Sequence, residues 1–140
     1  MKVRDIMTNK VEFVTPEASL ENVAKLMAEI DIGSVPVCQG KTILGLITDR
    51  DIVIRGLAKG QNPTTMKAKD VMSTDIISVS PDTDAHEAAD KMSKYQIKRL
   101  PVIDNGQLTG ILALGDLAIE NIHVDEAGNA LSGISQGIQH

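Results

Sequence analysis

Aromatic side chains are nearly absent from this 140-residue chain, which contains no tryptophan, one phenylalanine and one tyrosine. Proteins that bind single-stranded nucleic acid usually stack the bases on aromatic rings. The formal net charge of −5 also lacks the basic excess that a nucleic-acid surface requires. The composition therefore argues against a nucleic-acid partner and predicts a core of aliphatic side chains and methionine.

Cysteine and long apolar runs are scarce as well. Cys38 is the only cysteine, so the chain has no internal disulfide and no Cys-x-x-Cys zinc motif. It lies in a strand-like run, residues 35–38, where a buried and unreactive thiol is expected. No stretch approaches the roughly 18 apolar residues of a membrane-spanning helix, and residues 1–5 do not resemble a signal peptide. We therefore expect a soluble, cytoplasmic protein with no membrane partner.

What the chain does contain is an internal repeat. Residues 68–120 align with residues 3–55 without a gap, at the constant offset that places Met72 on Met7. The aligned motifs are Asp5-Ile6-Met7 with Asp70-Val71-Met72, Val14-Thr15-Pro16 with Val79-Ser80-Pro81, Gly45 with Gly110, and Asp51 with Asp116. Solenoids and propellers repeat every 20–50 residues or so, so this longer period indicates a duplicated subdomain. We expect the function to lie in a groove between the two copies.

Each copy shows the same order of predicted elements, β-α-β-β-α, after a short helical turn. Ser19 and Asp84 are predicted to cap the long helices, and Glu87 adds capping-box spacing to the second one. The Asn105-Gly106 pair predicts a tight hairpin in the second copy. The predicted bounds are 3–7 and 68–72 for the opening turns, 11–14 and 76–79 for the first strands, 20–30 and 85–95 for the long helices, and 35–38 with 43–48 and 100–103 with 108–112 for the hairpins.

The repeat also predicts the domain boundaries. We place repeat 1 at residues 1–58, a polar linker at 59–66, repeat 2 at 67–122, and a tail at 123–140 that is partly ordered at most. Either repeat alone would bury too little apolar surface to be comfortably stable, so the two should share a core. The apolar stripes of the long helices and of the last helices are the expected dimer face.

These motifs, in this order and present twice, resemble the CBS-domain family, whose tandem pair is called a Bateman module. The resemblance implies an α+β fold (a mixed α/β sandwich) of two pseudo-twofold-related β-α-β-β-α repeats packed through their sheets. It further implies a homodimer that forms a disc of four repeats. The implied role is regulatory and not enzymatic: sensing AMP, ADP, ATP or S-adenosylmethionine, with no required cofactor, and signalling to an effector protein that the sequence does not identify.

The strand-to-helix junction of repeat 1 contains Thr48 and Asp51, for which two interpretations are open. Thr48 can cap the helix, with Asp51 favoured by the helix dipole. The resemblance implies instead that the Asp51 carboxylate accepts hydrogen bonds from both ribose hydroxyls of an adenosyl ligand. One side chain can do both.

Repeat 2 departs from this pattern, because Ala113 takes the place of Thr48 while Asp116 is retained. Lys98 and Arg99 stand where repeat 1 has glycine and serine, and the resemblance implies that basic residues there hold phosphate. We therefore expect the Asp116 site to prefer AMP, ADP or ATP. The repeat 1 site has no matching cations, so it should take a less charged adenosyl group or stay empty.

The walls around the adenine base have two explanations, since the same residues are explained equally well as ligand contacts and as core. These expected base-contacting residues are Val14, Ile47, Ile76, Ile77, Val79 and Leu112. His86 and Asp90 have a spacing that can hold a metal, but no third ligand is evident and no metal site is predicted.

The alternative function is a structural dimerisation or interaction module without a nucleotide, in which Asp51 and Asp116 only begin helices. A third alternative, an enzyme with a cleft carboxylate, has no recognisable catalytic motif to support it.

Overall fold

The computed structural model describes residues 1–119 together with Ala130 and Ile134. The chain divides into two compact units, and neither coincides with one sequence repeat. Glu12–Ile76 form what we call the continuous unit, while Met1–Val11 and Ile77–His140 form the discontinuous unit. We call residues 1–11 and 67–76 the opening segments of repeats 1 and 2, and the remainder of each repeat its body. Each unit thus combines the body of one repeat with the opening segment of the other.

The continuous unit contains one long helix and one antiparallel hairpin. The Ser19 hydroxyl caps the long helix by accepting a hydrogen bond from the Asn22 N–H at 3.1 Å, as predicted. The helix ends at Asp31, which adopts the left-handed conformation with φ 56°. The elements are α1 (Leu20–Ile30), β1 (Ser34–Gln39), β2 (Thr42–Thr48), α2 (Asp49–Asp51) with a following π-helical turn (Ile52–Gly56) and 3-10 turn (Leu57–Lys59), and α3 (Ala68–Val71).

The discontinuous unit repeats this plan. The Asp84 carboxylate caps its long helix by accepting a hydrogen bond from the His86 N–H at 3.0 Å. Asn105 and Gly106 both have positive φ, 53° and 78°, which confirms the predicted tight hairpin. Its elements are a 3-10 turn (Val3–Asp5), α4 (Ala85–Tyr95), β3 (Arg99–Asp104), β4 (Gln107–Ala113) and α5 (Leu114–Ile119). Helices combined with antiparallel hairpins confirm the α+β class.

The strands predicted over residues 11–14 and 76–79 are wrong in extent. Only Val14 and Val79 pair, each as a single parallel bridge, with Val37 and Val102. A further parallel bridge on the N-terminal side of Val14 or Val79 would need a backbone hydrogen bond donated by the residue before Val37 or Val102. That residue is a proline in both repeats, Pro36 or Pro101, which has no N–H to donate.

The opening segments are integral to the units that contain them. Val3 is fully buried in the core of the discontinuous unit. Thr8 and Ile111 exchange two backbone hydrogen bonds of 2.9 and 3.0 Å, and Ser73 and Leu46 exchange two of 2.8 and 2.9 Å in the continuous unit. Buried apolar side chains and a paired backbone therefore hold each segment against the body of the other repeat.

Each unit has its own apolar core. Cys38 lies in β1 and is 1% exposed, and burial raises the pKa of its thiol to about 11. This confirms the expected buried thiol, which stays protonated and unreactive near neutral pH. The core of the discontinuous unit includes Ala130, which is fully buried, and Ile134 is only 4% exposed. The remainder of the predicted 123–140 tail lies outside the described residues.

No helix within the described part of the chain is long and apolar enough to cross a lipid bilayer.

An exposed ion-pair clasp also holds each opening segment. Glu17 pairs with Lys67 and with Lys69 in the continuous unit, at 3.0 Å for Lys69. The three aligned positions of the discontinuous unit form the same clasp, with Asp82 paired to Arg4 and, at 3.5 Å, to Lys2. Hydrogen bonds from Lys67 and Lys69 lower the pKa of Glu17, and Arg4 and Lys2 lower that of Asp82.

Neutralising both acids, in the double variant Glu17→Gln/Asp82→Asn, should reduce the acid sensitivity of the protein. Because the folded-state pKa values are lowered, the clasps stabilise the fold above the ordinary carboxyl pKa of about 4, and this contribution disappears as the pH falls through the lowered values. The wild type should therefore lose more stability than the double variant between about pH 5 and pH 3. Urea unfolding followed by far-UV circular dichroism at each pH measures the difference.

High salt provides an internal check on this prediction. At about 1 M salt the screening length is about 3 Å, so the charges of each clasp interact more weakly. The difference in free energy of unfolding between the wild type and the double variant at neutral pH should therefore shrink. Glu12→Gln, which removes an exposed acid outside both clasps, serves as the control. Identical pH profiles for the wild type and the double variant would contradict the prediction.

Candidate functional site

The Asp51 carboxylate of the continuous unit lies where β2 passes into α2. The Thr48 N–H donates to Asp51 Oδ2 at 2.9 Å, and the Asp51 N–H donates to Thr48 Oγ1 at 3.1 Å. These reciprocal bonds form a capping box, which confirms the capping interpretation of both residues. The Asp51 side chain is 17% exposed, so it is reachable from solvent without lying in bulk water.

Arg55 is a cation that the sequence prediction missed at this site. Its Nε lies 3.8 Å from Asp51 Oδ1, and its NH1 donates to the Val71 carbonyl at 3.2 Å. The positions that match Lys98 and Arg99 hold Gly33 and Ser34 and no cation, so Arg55 brings a positive charge to Asp51 from a position that the prediction did not consider. The i,i+4 spacing of Asp51 and Arg55, which brings side chains together on a helix, could have revealed it.

Asp116 occupies the corresponding place in the discontinuous unit. The Ala113 N–H donates to Asp116 Oδ2 at 2.8 Å, as the Thr48 N–H does to Asp51. The reciprocal bond of the capping box cannot form, because alanine has no hydroxyl. The Asp116 side chain is half-buried, and one backbone hydrogen bond fixes its orientation.

The β3–β4 hairpin places Arg99 beside Asp116. Arg99 is the cross-strand partner of Ala113, the residue whose N–H holds the carboxylate. The Leu114 N–H also donates to the Lys98 carbonyl at 2.8 Å, which ties the start of β3 to the start of α5. Partial burial lowers the pKa of the Arg99 guanidinium, and the charge of Asp116 acts against that shift. The structure thus brings Arg99 and Asp116 together, while the Lys98 side chain is exposed next to them.

In the continuous unit, an acid lies at the position equivalent to Lys98. Gly33 aligns with Lys98, and a Cβ at Gly33 would come within 2.7 Å of Asp49 Oδ2. The Asp49 N–H donates to the Gly33 carbonyl at 2.9 Å, so the acid is fixed close to this glycine. A carboxylate therefore stands where repeat 2 presents a lysine.

The six expected base-contacting residues fall into two groups. Ile47 and Leu112 are fully buried, and Val14 and Val79 are 9% and 5% exposed; all four belong to the apolar cores. These four present little or no surface to a ligand. Ile76 and Ile77 are half-buried and retain surface that a base could contact.

No metal site emerges from the part of the chain that the structure describes. His86 Nε2 lies 3.6 Å from Asp90 Oδ2, as their spacing on α4 predicts. Across residues 1–119, Ala130 and Ile134, no group of three or more His, Cys, Asp or Glu side chains could hold a metal ion.

Comparison with known proteins accounts for both repeats. Residues 3–57 and 68–121 each match the CBS domain. The chain belongs to the CBS-domain family. As a tandem CBS pair, it is 39% identical over 133 residues to the CBS domain-containing protein YhcV of Bacillus subtilis, a match that covers 95% of this chain and 94% of YhcV.

Two solved structures are also similar. The crystal structure of Hypoxic Response Protein I with two coordinated zinc ions is 37% identical, with a TM-score of 0.77, and the match covers 85% of this chain and 98% of that one. A hexameric CBS-CP12 protein from bloom-forming cyanobacteria is 26% identical, with a TM-score of 0.70, covering 89% of this chain and 74% of that one.

Proposed function

We propose that this tandem CBS pair is a regulatory module that senses an adenine nucleotide through its discontinuous unit. The observation that carries the proposal is that Arg99 and Asp116 share one strand-to-helix corner: Arg99 is the cross-strand partner of Ala113, whose N–H donates to Asp116 Oδ2. Each group has the chemistry that one part of a nucleotide requires.

Asp116 is suited to the ribose. One of its oxygens is engaged by the Ala113 N–H, and an ionised carboxylate retains further acceptor positions for the two hydroxyls of a ribose. Arg99 is suited to phosphate, because its planar guanidinium donates parallel hydrogen bonds to two oxygens. Lys98 adds a second positive charge on the solvent side. AMP, ADP and ATP are therefore the proposed ligands, and Ile77 is the proposed base contact in this unit.

We propose a different preference for the continuous unit. Asp51 and Thr48 can accept from a ribose there, but the Asp49 carboxylate beside Gly33 repels phosphate. Arg55 already lies close to Asp51 and is held by the Val71 carbonyl. A less charged adenosyl compound such as S-adenosylmethionine fits this site better, with Ile76 as the proposed base contact.

Ligand-induced thermal shifts test the assignment of residues to ligand groups. AMP at about 100 times its dissociation constant should stabilise the wild type by about 2.7 kcal/mol. Asp116→Asn and Arg99→Gln should each reduce this response more than Asp51→Asn does. The asparagine variants keep a side-chain oxygen that can accept from the capping N–H. A reduced thermal shift with AMP therefore reports the loss of the carboxylate charge and not the loss of the helix cap.

Asp104→Asn is the matched control, since it removes an exposed acid from the same unit. The thermal shift measured with GMP in place of AMP tests whether the site distinguishes adenine from guanine. If Asp51→Asn reduces the AMP response more than Asp116→Asn, the assignment of the two sites is refuted.

A second candidate function is an interaction module that binds no nucleotide. The capping box at Thr48 and Asp51 favours it, because that geometry alone explains both residues. The similar CBS-CP12 protein is hexameric, and we propose that this chain also self-associates, as a homodimer. Absence of any thermal shift with AMP, ADP, ATP or S-adenosylmethionine, together with retained self-association, would favour this second function. We propose no catalytic role for the chain.

A further inference from the structure

Arg55 lies against the side of the Asp51 carboxylate that the helix cap leaves open. The Thr48 N–H donates to Asp51 Oδ2 at 2.9 Å, whereas the Arg55 Nε lies 3.8 Å from Oδ1. Because the cap engages Oδ2, Oδ1 retains more positions at which a carboxylate accepts hydrogen bonds. A ribose that binds Asp51 and the guanidinium of Arg55 therefore approach the same oxygen.

The Arg55 guanidinium is anchored on its other side by the opening segment of repeat 2. Its NH1 donates to the Val71 carbonyl at 3.2 Å and to the Met72 carbonyl at 3.5 Å. These carbonyls stand at the end of α3, where the last C=O groups of a helix have no partner within the helix. Since these bonds already restrict the side chain, its attraction to Asp51 costs little further conformational entropy.

The local backbone and the exposure of the pair also set this position apart. Arg55 lies in the π-helical turn Ile52–Gly56, and single π-helical turns are frequent at functional sites. The Asp51 side chain is 17% exposed and that of Arg55 is 53% exposed, so the pair can be opened from the solvent side. An ion pair with this exposure is weak enough for a ligand to displace, yet it still opposes the ligand.

Repeat 2 has the opposite charge at the aligned position. The residue that matches Arg55 is Glu120, and a carboxylate cannot form an ion pair with Asp116. In that unit the arginine near the acid is Arg99, on the strand that pairs with Ala113. A competing cation four residues after the proposed ribose-binding acid is therefore specific to repeat 1.

We propose that Arg55 is a built-in competitor at the Asp51 site: its guanidinium holds the oxygen that a ribose hydroxyl needs, so an adenosyl ligand binds only by displacing it. This inference rests on the proposed binding of ribose by Asp51 and adds how that binding is regulated. The competition raises the ligand concentration at which the continuous unit fills. Displacement leaves Arg55 with the carbonyls of Val71 and Met72, so occupancy of the site alters the contacts of the opening segment.

Isothermal titration calorimetry with adenosine tests the competition, because adenosine presents the ribose hydroxyls without a charge. The full chain carries Asp116→Asn throughout, which weakens the other proposed ribose site. Adding Arg55→Gln should tighten adenosine binding about 2–5-fold, the factor that corresponds to an exposed ion pair. Arg55→Lys retains the charge and should give a smaller gain in affinity.

Lys59→Gln is the matched control for these variants. It removes an exposed cation four residues after Arg55, and it should leave the affinity for adenosine unchanged. Far-UV circular dichroism checks that each variant is folded. An affinity for adenosine that Arg55→Gln leaves unchanged or lowers would overturn the proposal.

Deoxyadenosine, the nucleoside of DNA, shows whether the competition concerns the hydroxyl contact. It lacks one of the two ribose hydroxyls that Asp51 is proposed to bind. Arg55→Gln should therefore tighten its binding by a smaller factor than that of adenosine. An equal gain for both nucleosides would mean that Arg55 acts on another part of the ligand, and competition for the carboxylate would be wrong.

Ionic strength tests the same contact without a substitution at Arg55. Between about 0.01 M and about 1 M salt, the screening length falls from about 30 Å to about 3 Å, which weakens the ion pair with Asp51. Both nucleosides are uncharged, so the preference for adenosine over deoxyadenosine should increase with salt in protein that retains Arg55. In the Arg55→Gln variant the preference should stay constant. Equal salt dependence in the two proteins is the result of a purely structural role and would overturn the proposal.

Removing the carboxylate separates this inference from the proposed function. Asp51→Asn, combined with Asp116→Asn, should reduce the heat of adenosine binding to the background. If the heat persists, or if adenosine gives no heat in any variant, ribose binding by Asp51 is refuted and the competition with it. Heat that is lost with Asp51→Asn but unchanged with Arg55→Gln refutes the competition alone.

Discussion

Replacing Gly110 with alanine should lower the free energy of unfolding by about 2–3 kcal/mol. A Cβ at this position of β4 would come within 2.7 Å of Met7 Sδ and 2.8 Å of the Thr8 carbonyl oxygen. The sulfur can move, but the oxygen belongs to a backbone that is paired with Ile111 through two hydrogen bonds. The opening segment must therefore shift away from β4 and stretch those bonds.

Gly45 of β2, which aligns with Gly110, provides a second and independent test of the same steric conflict. A Cβ at Gly45 would come within 2.7 Å of the Ser73 carbonyl oxygen and 2.8 Å of Met72 Sδ. Gly45→Ala should therefore destabilise the continuous unit by a similar amount. Because the chain lacks tryptophan, urea unfolding is best followed by far-UV circular dichroism.

Gly115→Ala is the matched control for this pair. Gly115 lies in α5, its φ is not positive, and a Cβ there meets no heavy atom within 4 Å. Alanine should be neutral there or stabilising by up to about 1 kcal/mol, because it reduces the freedom of the unfolded chain. If Gly110→Ala is as stable as Gly115→Ala, the close approach of the opening segment to β4 does not exist in solution.

Replacing Val3 with aspartate should destabilise the protein by about 4 kcal/mol or more, because it places an unpaired carboxylate in an apolar core. Val3 is fully buried among residues of repeat 2, including Val79 and Ala85, although it belongs to repeat 1 by sequence. Since a domain is stable by only about 5–15 kcal/mol, this cost removes much of the stability of the discontinuous unit.

Phe13→Asp adds the same charge at a position that is 44% exposed, and it should have a small effect. Far-UV circular dichroism of urea unfolding measures both variants. If Val3→Asp unfolds at the same urea concentration as Phe13→Asp, the opening segment contributes nothing to that core, and each repeat is self-contained in solution.

The helix caps and the hairpin were predictable because they depend on residues close together in the chain. Ser19 and Asp84 bond to N–H groups within three residues of themselves, and the Asn105-Gly106 turn needs only its own two left-handed conformations. The capping box of Thr48 and Asp51 is equally local. The first strands failed as predictions because β-branched residues favour extended structure, while the proline in the partner strand decides how far it pairs.

The candidate site was predictable in part. The internal repeat drew attention to Asp116, and Lys98 and Arg99 stood out as departures from repeat 1. The cation near Asp51 was missed, because the search for cations was confined to the two positions that align with Lys98 and Arg99. Arg55 reaches Asp51 from a different position, one turn further along the helix. Four of the six expected base contacts are buried in cores, since an aliphatic residue at a strand end has the same pattern whether it faces a ligand or the interior.

The sequence by itself determined that one unit occurs twice, in what order its elements run, and where its helices start, because these features follow from periodicity and from contacts across a few residues. Only the tertiary structure decided which body each opening segment joins, and that the glycines of β2 and β4 admit a backbone oxygen. Such outcomes depend on contacts between residues far apart in the chain, and the residue types on either side are compatible with more than one partner.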